Sequence, residues 1–264
     1  MRPVLARRLF AEFLGTGLLV AVVVGSGIAA QRLSVDHGLQ LFENAIVTAL
    51  ALPVLILVFG PVSGGHLNPI VSLADWLLGR THGRGISLAE VVGYAGAQTT
   101  GGVCGALLAN AMFGQPEGWS ARHRSGGDLW LGEVVATAGL LLVIFALARS
   151  GNHHQTPWAV GAYIAAAYWF TSSTSFANPA VTIGRMFSDT FAGIAPSSAP
   201  GFIGAQLVGG AVGLAGLAAL YPATSLNPAV VEVMREVGVH PAGREPKLLT
   251  SDAVDADRSG RPTG

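Results

Sequence analysis

Two stretches carry the residue types best able to do chemistry: Ser63-Gly64-Gly65-His66-Leu67-Asn68-Pro69-Ile70-Val71-Ser72 and Ser175-Phe176-Ala177-Asn178-Pro179-Ala180-Val181-Thr182. In both, Asn stands directly before Pro. Asn is a strong helix N-cap and Pro is favoured at the first helical position, so each pair reads as a helix start. An Asn that caps with its side-chain oxygen keeps its amide N–H groups free to donate. The chemistry on offer is hydrogen bonding to a neutral, oxygen-bearing solute. The apolar run after Pro69 ends near Gly79, and the run after Pro179 near Asp189. At ~1.5 Å per residue each helix is ~15 Å long, about half of a ~30 Å hydrocarbon core. Two such half-helices entering from opposite sides would meet at the midplane, N-terminus to N-terminus. Their positive dipole ends would converge there, a barrier to a cation or a hopping proton but not to a neutral solute. A third copy, Asn227-Pro228-Ala229, follows the last apolar span and precedes a polar helix; it reads as an ordinary cap.

The elements that must position these motifs are apolar. Of 264 residues 51% are hydrophobic and only 11% charged, against roughly 25% charged in an ordinary soluble protein. Stretches approaching ~20 apolar residues predict an all-α, polytopic membrane protein. Six spans are expected, at 9–30, 41–59, 88–113, 129–148, 158–170 with a continuation to about 173, and 202–220. The first is too long for the apolar region of a signal peptide and contains Glu12. The polar connection 114–127 divides the chain into a first repeat, 1–113, with half-helix 69–79, and a second, 128–222, with half-helix 179–189. The remainder, 223–264, turns polar and reads as a largely disordered cytoplasmic tail. Net charge is zero, which gives no bias toward nucleic acid. The lone Cys104 excludes an intrachain disulfide and a multi-cysteine metal site, and reads as a small buried packing residue. No His-Glu-x-x-His or paired His/Cys cluster supports an enzyme.

The halves repeat. Glu12-Phe13-Leu14-Gly15-Thr16 corresponds to Glu133-Val134-Val135-Ala136-Thr137, and Asn68-Pro69-Ile70-Val71-Ser72 to Asn178-Pro179-Ala180-Val181-Thr182. Gly96-Ala97-Gln98 likewise corresponds to Gly204-Ala205-Gln206. Three spans per half, an odd number, make the second half an inverted copy of the first. With both termini inside, eleven of the fifteen Lys and Arg fall on the cytoplasmic side, and only Arg32, Arg122, Arg124 and Arg185 outside, as the positive-inside rule requires. Small residues four apart (Gly17, Ala21 and Gly25; Gly93, Ala97, Gly101 and Gly105; Gly209 and Gly213) predict close helix packing.

Six spans, an inverted repeat and two Asn-Pro half-helices together resemble the aquaporin and aquaglyceroporin family, the major intrinsic proteins, over roughly 9–221. The resemblance implies passive passage of small neutral solutes, no cofactor and a homotetramer in a bacterial plasma membrane. It implies pore motifs at Asn68, Pro69, Ile70, Asn178, Pro179 and Ala180. By motif offset it implies an outer constriction at Thr48, Ala166, Ser175 and Val181. The family's usual residue after the second Asn-Pro-Ala is Arg; this chain has Val181, and Ile70 replaces Ala in the first motif. Four small, uncharged, non-aromatic residues predict a wide, mildly polar filter, similar to that of bacterial members linked to arsenic handling. Glu12 and Glu133 are expected to accept N–H bonds from the loops carrying the half-helices, with Gln98 and Gln206 in support. His66 is expected either to line the inner pore or to hold its loop. Asp75 and Arg185, each seven residues past a motif Asn, read as solvated vestibule residues. The solute class implied is water, glycerol-like polyols and neutral metalloid hydroxides such as arsenous acid. A strict water channel is the alternative. An ion-coupled transporter also uses inverted repeats and broken helices, but would need more intramembrane ionisable groups than Glu12 and Glu133.

Overall fold

The structure is a computed structural model that describes residues 3–80 and 85–221. Among these the chain is helical and contains no strand: α1 (Leu5–Leu33), α2 (His37–Ser63), α3 (Pro69–Gly79), α4 (Leu88–Met112), α5 (Gly127–Arg149), α6 (Thr156–Phe170), α7 (Pro179–Arg185) and α8 (Ala199–Leu220). A 3₁₀ turn, His153–Gln155, leads into α6. Residues 1–217 form one compact unit. The second unit begins at Ala218 and contributes only the last residues of α8 and Tyr221 to the described part. The expected tail and the third Asn-Pro pair lie outside the described residues.

Four helices, α1, α2, α5 and α8, are long and apolar enough to cross a membrane by length and composition alone. The third expected span, α4, has 25 residues, which at ~1.5 Å each exceeds a ~30 Å core. Its Gly, Thr and Gln content dilutes its hydropathy. The fifth, α6, has 15 residues, roughly 22 Å, and an irregular segment carries the chain on to Asn178.

Local chemistry sets the ends. Asp36 caps α2 by accepting from Leu39 N at 2.7 Å, and Ser87 with Glu90 forms a reciprocal capping box on α4. Helix α2 runs through both Pro53 and Pro61, beyond the expected end at 59, and stops at Gly64, whose φ of 99° only glycine adopts without strain. Half-helix α3 has the expected bounds, but α7 ends at Arg185 and not near Asp189. The cause is capture by α4. Asn110 Nδ2 donates to Phe187 O at 2.8 Å, and Ser188 Oγ donates to Asn110 Oδ1 at 2.8 Å. The last turn tightens into i→i−3 bonds from Met186 N and Phe187 N.

The small-residue faces are where backbones touch. A Cβ at Gly105 would collide with the Gly17 carbonyl, and one at Gly101 with that of Phe13, so α1 and α4 meet at van der Waals range only because these residues have no side chain. Arg8, within the basic head, is buried. It pairs with Glu90 and donates from Nε to Tyr94 Oη at 2.9 Å, and Tyr94 Oη donates to Ser63 O at 2.7 Å. This chain ties the start of α1 and the start of α4 to the end of α2, just before the first motif loop.

Candidate functional site

The two motif loops are built from corresponding bonds. Asn68 Oδ1 accepts from Ile70 N at 2.9 Å. Asn178 Oδ1 accepts from Ala180 N at 3.0 Å and Val181 N at 3.3 Å. Both Asn therefore cap their helices, with Pro69 and Pro179 at the first position. Their amides, however, are not left wholly free. Asn68 Nδ2 donates to Ala177 O at 2.8 Å, and Asn178 Nδ2 to Leu67 O at 2.7 Å. Each Asn clasps the residue that precedes the other, so only one of each amide's two N–H groups remains for a solute.

Glu12 and Glu133 hold these loops. Glu12 accepts from Ser63 Oγ at 2.6 Å, His66 N at 3.0 Å, Leu67 N at 2.7 Å and Gln98 Nε2 at 2.7 Å. Glu133 accepts from Phe176 N and Ala177 N, both at 2.8 Å, and from Gln206 Nε2 at 2.6 Å. Gln98 and Gln206 reach on to Ser72 Oγ and Thr182 Oγ1, at 3.1 and 2.9 Å, in the first turns of α3 and α7. The loops need such anchors. Leu67 (φ 49°), Thr174 (62°), Ser175 (52°) and Ala177 (49°) are non-glycine residues in the left-handed region, where each costs ~1–3 kcal/mol that surrounding structure must offset.

Against these loops lies a cavity of about 270 Å³. Its walls follow helical periodicity: Thr48, Leu52 and Ile56 of α2; Leu140, Ile144 and Ala148 of α5; Thr156, Val160, Ile164 and Tyr168 of α6; Leu19 and Val23 of α1. Asn68 and Val71, with Asn178 and Val181, bring in both half-helices. From Thr156 to Tyr168 the α6 wall alone rises ~18 Å. Polar groups are few: His66, Asp75 and Thr156 toward one end, the two Asn in the middle, and Thr48, Tyr168, Ser175 and Arg185 toward the other. His66 lines the cavity, and its loop is held through Nδ1 against Ser72 Oγ at 3.0 Å. Asp75 also lines the cavity, and accepts from Ile86 N at 2.9 Å.

Thr48, Ser175 and Val181 line the cavity, but Ala166 does not; it is exposed on the opposite side of α6. The wall residues of α6 recur every four positions, and a residue two steps from Ile164 and from Tyr168 is turned by ~200°. The motif offset of twelve residues before Asn178 does not fix which face of α6 a residue takes. The α6 residue at this level is Tyr168, whose hydroxyl lies 3.3 Å from Thr48 Oγ1. Arg185 is likewise not a solvated vestibule residue: it is 3% exposed and in the cavity wall. The outer end of the cavity thus carries Tyr168, Phe176 and Arg185, and its lining there is neither uncharged nor free of aromatics. Behind it Arg124 donates to Gly193 O at 2.8 Å and Phe191 O at 2.9 Å. Burial, with repulsion from Arg185 and Arg122, pulls the Arg124 guanidinium down to about 9, still cationic at neutral pH. The missed residues had a signal in part: Leu52 and Ile56 follow Thr48 at i+4 and i+8. Cys104 is exposed on α4, not buried in packing, and lies outside the cavity wall.

Helices arranged around paired half-helices, with a cavity against both motif loops, define a membrane channel of the inverted-repeat class. The profile of the Major intrinsic protein family matches residues 2–175, and the chain belongs to that family of passive channels for small neutral solutes. It is 49% identical to aquaglyceroporin AqpS of Rhizobium meliloti over 212 residues, 80% of this chain and 88% of that protein. It is 31% identical to the glycerol uptake facilitator protein of Pseudomonas aeruginosa over 174 residues, 57% of this chain and 60% of that protein. The X-ray structure of the aquaglyceroporin from Plasmodium falciparum superposes with a TM-score of 0.64 at 20% identity. That match covers 87% of this chain and all of the other, and shows the shared fold.

Proposed function

We propose that the chain conducts glycerol-type polyols and neutral metalloid hydroxides such as arsenous acid, together with water. The observation that carries this is Val181, an apolar residue in the cavity wall one turn past the capping Asn178. It leaves the cavity beside both Asn free of a long side chain at that level. Glycerol and arsenous acid are compact molecules with three hydroxyl groups and no charge. The single remaining N–H of each motif Asn suits their oxygens, and the wall of Leu, Ile and Val suits the C–H side of glycerol. Tyr168 and Arg185 at the outer end favour the narrower alternative, a water-selective channel. Flux through proteoliposomes, with water, glycerol and arsenous acid measured side by side, separates the two. Glycerol and arsenous acid flux above protein-free vesicles is expected; water flux alone would overturn the wider range. Gradient-driven accumulation would instead indicate a coupled transporter. In the same proposal Asn68, Pro69, Ile70, Asn178, Pro179 and Ala180 form the midplane of the pathway, Glu12, Glu133, Gln98, Gln206 and His66 support it, and Thr48, Tyr168, Ser175 and Val181 set the constriction. The protein is a homotetramer in a plasma membrane with both termini cytoplasmic, the orientation that the distribution of Lys and Arg supports.

A further inference from the structure

The inner and outer ends of the cavity differ most at two repeat-equivalent positions. Seven residues past Asn68 stands Asp75; seven past Asn178 stands Arg185, and both line the cavity. The carboxylate of Asp75 is held by Ile86 N. Arg185 is held differently. Its Nε donates to Ala192 O, and its Cζ lies over the ring of Phe176, 3.5 Å from the centroid. The same ring is braced edge-on by Phe202, with centroids 5.0 Å apart. The two terminal amino groups of Arg185 have no hydrogen-bond partner among the described residues, although the residue is buried in the cavity wall. Nor does a carboxylate of the described residues form an ion pair with it. Stacking on an aromatic face suits the weakly hydrated, planar guanidinium and fixes its plane while leaving its outer N–H groups available.

The geometry points to Arg185, stacked on Phe176, as the residue that sets both charge and width at the outer mouth. It sits four residues past Val181, hence on the same face of α7 and one turn further out. From there a fixed cation repels other cations before they reach the two Asn. Its free N–H groups donate to the hydroxyl oxygens of an arriving neutral solute. The mouth opened by Val181 is therefore closed again, in charge though not at the same depth. This inference rests on the channel reading above and deepens it.

Two variants test it, in proteoliposomes containing the full chain. Arg185→Leu removes charge and donors. It is expected to raise potassium and proton leak on the order of tenfold, since a unit charge in a low-dielectric mouth is weakly screened, and to raise the glycerol-to-water flux ratio severalfold. Arg185→Lys keeps a charge and a donor for Ala192 O but loses the stacked plane. It is expected to keep leak at the wild-type level while still shifting the ratio at least about twofold. If Arg185→Leu fails to insert, Arg185→Lys decides alone. An unchanged ratio in Arg185→Lys, or unchanged leak and ratio in an inserted Arg185→Leu, overturns the inference while the channel reading stands. A wild-type protein that conducts neither water nor glycerol overturns both.

Discussion

Alanine at Gly102 tests the link between α4 and the second half-helix. A Cβ at Gly102 would lie 2.8 Å from Ala180 O, where contacts of 3.0–3.4 Å are already tight, and the obstacle is backbone rather than a flexible side chain. The fit is reciprocal: a Cβ at Gly184 of α7 would lie 2.6 Å from Gly102 O. Relief in Gly102→Ala requires α7 to retreat by about 0.5 Å, because a close-packed interior transmits such a misfit and does not absorb it. Overpacking of this kind costs ~1–3 kcal/mol. The retreat also works against the bond from Asn178 Nδ2 to Leu67 O, now 2.7 Å, so solute flux should fall along with stability. The control lies on the same helix. Gly96 has open space around its Cβ position, and there alanine gains up to ~1 kcal/mol of helix propensity. Unfolding in detergent, followed by helical circular dichroism, together with glycerol flux in liposomes, reads both variants. Gly102→Ala should be less stable and slower, and Gly96→Ala equal to or more stable than wild type at unchanged flux. If the two variants behave alike, the close approach of α4 to α7 is not what seats the half-helix.

Three further outcomes are expected. In Asn68→Asp or Asn178→Asp an oxygen replaces the Nδ2 that donates to Ala177 O or Leu67 O, turning a bond into a lone-pair contact and adding negative charge at the midplane. Solute flux should fall or cation leak rise, and normal flux without leak in both variants would refute the clasp. Val181→Arg adds a long cationic side chain below Arg185, beside Thr48 and Ser175. Arsenous acid and glycerol flux should fall more than water flux, each ~1.4 kcal/mol of added barrier slowing passage tenfold; an unchanged ratio in a properly inserted variant removes residue 181 from the constriction. A mercurial at Cys104, exposed on α4 and outside the cavity wall, should not block flux, and full inhibition abolished by Cys104→Ala would contradict that position.

Most of the frame was legible in the sequence because lipid leaves few choices. Long apolar runs become helices, Asn-Pro pairs become helix starts, and repeated Glu and Gln landmarks give away the duplication. What failed depended on where the chain leaves a helix. The motif offset that points to Ala166 runs through a segment that turns back on itself at Thr174, Ser175 and Ala177, all with positive φ; no propensity of Thr, Ser or Ala announces that conformation. The early end of α7 depends on Asn110, far away in the chain. Burial of Arg185 depends on a ring nine residues earlier and a carbonyl seven residues later, so a charged residue past a short helix looked solvated. Exposure of Cys104 is not legible in the sequence, because α4 shows one face to its neighbours and another outward, and composition does not say which.

The paired bonds between the motif loops have the logic of an isologous interface, in which residue i of one subunit meets j of the other while j meets i. Asn68 reaches Ala177 and Asn178 reaches Leu67; the chain is, in effect, a two-fold dimer whose subunits have been fused. Fusion then adds little to recognition, since each half already presents the surface the other needs. The exposed residues 116–118 join the halves at a point free of these bonds. Cutting there leaves both clasps, both Glu anchors and the Arg124 brace within or between fragments whose surfaces remain complementary. Two separately synthesised halves should therefore find each other in a bilayer and rebuild a conducting pathway. A half bearing a broken clasp should be rescued by no partner, because the interface is written on both sides.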